Sequence, residues 1–154
     1  MAIFQSDHVK GIKDVPYPAV AGMVCAARFA MSVPANFALN DIFELAVIPA
    51  GCRVVDIVAF DCDDLDSNGT PTLSLDVGIM SGEAGDPNQS RTCGAEFVAG
   101  ATIGRTGGVV EPSIVTAFRT GRANIQRAIG VKVAAAAATP QAGTIGLTVL
   151  YAAE

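Results

Sequence analysis

From residue 40 onward, apolar and polar residues alternate with a period of two, the spacing that sends successive side chains to opposite faces of a β-strand. In Asp41–Ile48 the pattern sets Phe43, Leu45 and Val47 on one face and Glu44 on the other. Pro49-Ala50-Gly51 breaks the run. Cys52–Asp61 then resumes it, with Arg53, Val55, Ile57 and Ala59 alternating against Val54, Asp56, Val58 and Phe60. Its β-branched density predicts a strand, paired with its predecessor. Thr72–Ile79 has the cleanest alternation, with Leu73, Leu75, Val77 and Ile79 against Ser74, Asp76 and Gly78. Arg127–Ala134 places Ile129, Val131 and Val133 together, and Gly143–Ala152 does the same with Ile145, Leu147, Val149 and Tyr151. Thr139-Pro140-Gln141-Ala142-Gly143 between them has turn chemistry. Further strands are expected at Val20–Met31, Ala95–Ala99 and Ile114–Phe118, with glycine turns at 82–85 and 104–108. The alanines at 134–138 are too few to hold a helix and read as strand end and loop.

These elements predict an all-β chain, an antiparallel two-sheet jelly-roll or Greek-key sandwich of about eight strands. An immunoglobulin-like sandwich is the alternative, with the absence of Trp against it. Two similar hairpins are expected, at Arg53–Met80 and Arg127–Tyr151. Pro16, Pro18 and Pro34 keep the start of the chain extended. Residues 1–35 therefore read as an extended N-terminal arm with the first strand, and residues 36–154 as the sandwich core of a single domain. The arm either reaches across a neighbour or lies along its own domain.

Composition adds a reason to look for partners. Of 154 residues only 16% are charged while 51% are hydrophobic, against roughly 25% charged in an ordinary soluble domain. A compact monomer of this mass exposes on the order of 7,300 Å², so charge is spread thinly over it. The simplest resolution is that other chains cover part of the surface; small Ala and Gly side chains that inflate hydropathy are the plainer one. A net charge of -5 argues against binding nucleic acid or an anionic membrane surface. No export signal is expected at the polar start of the chain, and the apolar stretches 19–39 and 133–153 are too interrupted to span a bilayer.

Candidate chemistry is sparse. Cys25, Cys52, Cys62 and Cys93 lack zinc-ligand spacing and read as reduced, half-buried thiols. Asp61-Cys-Asp63-Asp64-Leu-Asp66-Ser-Asn68-Gly69 is rich in oxygen ligands but lacks a calcium loop's register and terminal Glu. It reads as a solvated turn whose Asp and Asn side chains bond local N–H groups; Asp61, Asp63 and Asp66 are the ligands if a divalent metal binds. Asp61, Asp63 and Asp76 would be the carboxylates of a metal-dependent hydrolase. No nucleophile elbow, phosphate loop or metalloprotease motif is present, so no catalytic residue and no cofactor is assigned. Arg91, Arg105, Arg119, Arg122 and Arg127 concentrate in the second half, opposite the acidic loop of the first, a division suited to contacts between subunits. Residues expected to meet a partner are His8, Lys10 and Tyr17 in the arm, with Arg105, Arg119 and Arg122.

Several phrases carry a family resemblance: Leu39-Asn-Asp41 leading into Phe43-Glu-Leu45, Ile48-Pro-Ala-Gly-Cys-Arg-Val-Val-Asp56, Asp63-Asp-Leu-Asp66 and Leu75-Asp-Val-Gly-Ile-Met-Ser-Gly82. Arg91-Thr-Cys-Gly-Ala-Glu-Phe97, Ile129-Gly-Val-Lys-Val133 and Gly143-Thr-Ile-Gly-Leu-Thr-Val-Leu-Tyr151 continue it. Over residues 36–152 the chain resembles head decoration, or cement, proteins of tailed bacteriophages. The resemblance implies a non-enzymatic virion protein, made in the host cytoplasm, that binds the outside of the shell and clamps neighbouring major capsid subunits. It also implies a homo-oligomer, a dimer rather than a trimer. The rival from another class is a carbohydrate-binding jelly-roll module of a tail or fibre, for which two tyrosines and no Trp are a poor sugar platform.

Overall fold

The computed structural model describes all residues, 1–154. Nine strands form two facing sheets: β1 (Ile3–Gln5), β2 (Val24–Val33), β3 (Ile42–Ile48), β4 (Cys52–Cys62), β5 (Ser74–Ile79), β6 (Val98–Ala101), β7 (Gly108–Val110), β8 (Arg127–Ala135) and β9 (Gly143–Ala153). One sheet has the order β1-β3-β8-β5-β6 and the other β2-β9-β4-β7, all pairs antiparallel except β1 with β3. The expected two-sheet, jelly-roll-like sandwich is therefore present, with one strand more than expected. No helix is long and apolar enough to cross a membrane.

Between the sheets lies one continuous core. Leu73, Leu75 and Val77 meet Ile129, Val131 and Val133 from one side, and Ile145, Leu147, Val149 and Tyr151 from the other, all with no exposed surface. These are the faces read from the alternation of β5, β8 and β9. In β3 and β4 the alternation is interrupted. A register shift between Glu44 and Ala46 turns Ala46 and Ile48 into the core beside Phe43 and Leu45, so Val47 leaves the face assigned to it. Two shifts in β4, at Val54/Asp56 and Ile57/Ala59, make Val54, Ile57 and Phe60 the buried set. A bulge adds one residue and flips the side chains beyond it.

The expected hairpins are not hairpins. β3 and β4 lie in different sheets, as do β4 and β5, and β8 and β9; only β5 to β6 stays within one sheet. Each of these strands has an apolar face that needs an apolar partner about 10 Å away, and crossing the sandwich supplies it. Ile114–Phe118 is likewise not a strand: Val115–Phe118 is a 3-10 turn, and the Thr116 hydroxyl donates to the Glu96 carbonyl at 2.7 Å. The remaining short strand begins at Val98 rather than Ala95.

The start of the chain lies along its own domain. β1 adds to the edge of β3, the Ser6 hydroxyl donates to the Leu45 carbonyl at 2.6 Å, and the Ala2 N–H donates to Asp41 Oδ1 at 2.6 Å. This leader and the 80–93 loop cover the outer side of β3, which is why β3 is buried on both faces. Ile42, Met80 and Ala128 form a small second core beneath them. Under the same loop Glu44, fully buried, forms an ion pair with Arg91 Nη2 at 2.7 Å and accepts from Gln5 Nε2 and the Gly85 N–H, both at 3.0 Å. Arg91 also donates to the carbonyls of Ser81 and Asp86 at 2.8 and 3.1 Å, closing the loop on itself.

Candidate functional site

The carboxylates of the acidic loop are each occupied by the fold. Asp61 pairs with Arg28 across the outer face of the second sheet, two oxygens against two guanidinium nitrogens at 2.6 and 2.9 Å. That hydrogen bond, aided by charge, lowers the pKa of Asp61. Asp63 Oδ2 accepts from the Thr144 N–H at 2.8 Å and Asp76 Oδ1 from the Gly100 N–H at 2.8 Å. Asp64 and Asn68 each close a short local turn, accepting from the N–H two residues on. The backbone turns expected of this loop are thus present.

Asp66 does something the sequence did not reveal. Its carboxylate is buried and accepts four backbone N–H groups: Oδ2 from Thr72 at 2.8 Å, Leu73 at 3.1 Å and Ala138 at 3.0 Å, and Oδ1 from Thr139 at 2.8 Å. Burial alone would raise its pKa, but the four donors outweigh it and hold the carboxyl well below the usual carboxylate range. Four donors converging on one carboxylate make a cradle for an anion, the wrong polarity for a cation. Asp61, Asp63 and Asp66 therefore face an arginine and backbone donors rather than one another.

The six partner-binding candidates do not converge on one spot. His8 is half-buried, its ring edge-on to Phe29 with centroids 4.7 Å apart; burial and then the Lys13 charge lower its pKa. Lys10 is exposed in the turn that follows β1. Arg105 is tied into the fold, its Nε donating to the Leu73 carbonyl at 2.7 Å, at the end of the sandwich that carries the acidic loop. Tyr17, Arg119 and Arg122 belong to the opposite end. Tyr17 is exposed beside the Gly51 turn, whose N–H bonds the Ala123 carbonyl at 2.8 Å. Arg122 Nη1 donates to the Glu154 carbonyl at 2.7 Å, and Arg53 pairs with the Glu154 side chain.

At that end the structure adds residues that the alternation concealed. The segment from Glu111 to Arg127 exposes Val115, Phe118 and Ile125, at 59%, 60% and 47%, among Arg119 and Arg122. Phe118 lies beside Val58 on the outer side of β4. Taking 114–118 as a strand hid this, because a strand would have buried alternate members. The four cysteines are free thiols, and burial pushes both Cys62 and Cys93 up to about 12, which keeps them protonated and unreactive. Tyr151 is buried, its hydroxyl donating to the Pro16 carbonyl, so Tyr17 alone of the two tyrosines faces outward.

No family model matches the sequence, and no curated protein matches it. Among solved structures, the chain is similar to a chain in the capsid of Ralstonia phage GP4, with 45% identity, a TM-score of 0.93 and 99% of each chain covered. It also shares its fold with a chain in the capsid asymmetric unit of cyanophage Pam1, at 19% identity and a TM-score of 0.57 over 92% of this chain and 93% of the other.

Proposed function

The chain belongs to the family of phage capsid proteins, and from that premise we propose that it is a head decoration protein, bound to the outside of the shell as a homo-oligomer. Each bound copy bridges neighbouring major capsid subunits, so that parting them also breaks its contacts. The observation that carries this role is a sandwich complete in itself, with a closed 28-residue core, that still leaves Tyr17, Phe118 and Ile125 exposed at one end. A self-contained fold with an unsatisfied apolar rim suits a component added to a finished shell. Many copies, each held weakly, act together through multivalency. Its low charge density fits a surface partly covered in the virion.

The test is addition of the purified chain to heads assembled without it. Saturable binding at a fixed copy number, with a rise in the temperature at which the heads break open, is the expected result. Heads that take up no protein, or that take it up with no gain in resistance, would refute the decoration role.

A further inference from the structure

We propose that the 111–127 segment docks on an acidic stretch of a neighbouring capsid protein, one carboxylate of which sits between Arg119 and Arg127. The inference rests on the decoration role above and specifies the chemistry of the partner surface.

Like Lys10, Arg105 and Lys132, the three arginines of this segment stand outside the ion pairs of the fold, and two of them share a groove. The ion pairs of the fold engage the N-terminus, Lys13, Arg28, Arg53 and Arg91, and none reaches Arg119, Arg122 or Arg127. Arg119 and Arg127 line an open groove of about 330 Å³ together with Ile79, Glu96, Thr116 and Thr120. The single acid in that groove is already committed: Glu96 Oε2 accepts from the Ile79 N–H at 2.8 Å, and its carboxylate rests so closely on Gly78 and Gly94 that a Cβ at either would lie 2.3 Å away. Thr120 Oγ1, by contrast, is buried with no hydrogen-bond partner. Arg127 is half-buried, gives one nitrogen to the Gly121 carbonyl at 2.6 Å, and has its pKa lowered by burial with no counter-charge to offset it. A carboxylate entering the groove would meet two guanidinium groups, the fork geometry arginine offers best, with the unpartnered Thr120 hydroxyl one rotamer change behind them.

What flanks the groove fits a protein partner. Val115, Phe118 and Ile125 are exposed on the same segment, and an aromatic side chain set among arginines is the composition of interface anchors. A nucleic acid is disfavoured, since a short basic patch on a chain of net charge -5 offers no continuous rail for phosphates.

The full-length chain is titrated against a fluorescently labelled twelve-residue peptide of alternating Glu and Leu, with a Gln-for-Glu peptide and a twelve-nucleotide single-stranded DNA as comparators. Saturable binding of the Glu peptide alone, weakened about tenfold or more by Arg119→Gln, is expected. The Arg119 side chain makes no hydrogen bond within the fold, so this variant should melt like the parent. A second variant, Phe118→Ser, should weaken both peptide and head binding. Equal binding of the Gln peptide or of the DNA would overturn the inference, as would unchanged affinity in Arg119→Gln. Heads that bind parent and Arg119→Gln equally would overturn the docking assignment and leave the decoration role standing. Heads that ignore the parent, while the Glu peptide still binds through Arg119, would support the carboxylate groove and remove the decoration role.

Discussion

Replacing Asp66 with alanine removes the acceptor for four backbone donors at once. Leu73 is fully buried, so its N–H would lose a charged acceptor with no water to replace it, at about 1.5–3 kcal/mol. Thr72, Ala138 and Thr139 are exposed residues; water recovers most of their bonding, and each should lose about 0.5 kcal/mol. The sum is about 3–4.5 kcal/mol, which for a domain of this size lowers Tm by about 10 °C. Asp66→Asn keeps one carbonyl oxygen, whose two lone pairs can still serve two of the three donors on Oδ2, and should lose about half as much. Urea unfolding at fixed protein concentration measures both, and amide exchange at Leu73 and Thr139 should quicken in the alanine variant. The acid limb gives an independent check. A carboxyl whose folded pKa is depressed contributes stability that is fully present above its unfolded value of about 3.9 and is lost as pH falls through the folded value. The gap between the parent and Asp66→Asn should therefore narrow below about pH 4 and hold constant from pH 5 to 7. A loss under 1 kcal/mol in Asp66→Ala, or a gap that does not change with pH, would refute the cradle as a source of stability.

Two other perturbations test the sandwich. Arg91→Met leaves Glu44 charged and buried beneath the 80–93 loop and should lose about 3–5 kcal/mol; the double variant Glu44→Gln, Arg91→Met should recover part of that in the same urea titration, and an additive loss would count against a coupled pair. Gly78→Ala would place a methyl 2.2 Å from the Gly94 backbone and 2.3 Å from Glu96 Oε2, so it should lose at least about 3 kcal/mol through overpacking. A melting temperature within 2 °C of the parent's would show that the Gly94–Glu96 turn against β5 yields more easily than the geometry implies.

Where the alternation ran unbroken along the strand itself, the sequence was readable residue by residue, as in β5, β8 and β9. It misled in β3 and β4 because a bulge depends on the register of the partner strand, and β8 and β9 lie about 85 residues downstream in the chain, beyond the reach of local periodicity. Sheet membership failed for a related reason. Period-two patterns fix which face is apolar, not which apolar face it meets, and most strands adjacent in sequence here face one another across the sandwich instead of pairing. The same distance rule governs the sites. Local turns at Asp64 and Asn68 were legible, whereas the Asp66 cradle draws two donors from residues 138 and 139, and Glu44 finds its cation at position 91. The gathering of arginines toward the C-terminal half was visible. That Arg91 is internal while Arg119 and Arg127 share a groove required the fold.

Because nearly every connection passes from one sheet to the other, the two layers are laced rather than merely stacked. No adjacent pair of long strands can zip up first as an independent hairpin, so the chain should assemble late, slowly and as a whole, in the manner of folds dominated by distant contacts. Once formed, the same lacing is a mechanical asset: a pull that tends to peel the layers apart is carried by covalent backbone at many points around the rim, and the load is shared before any interior contact has to yield.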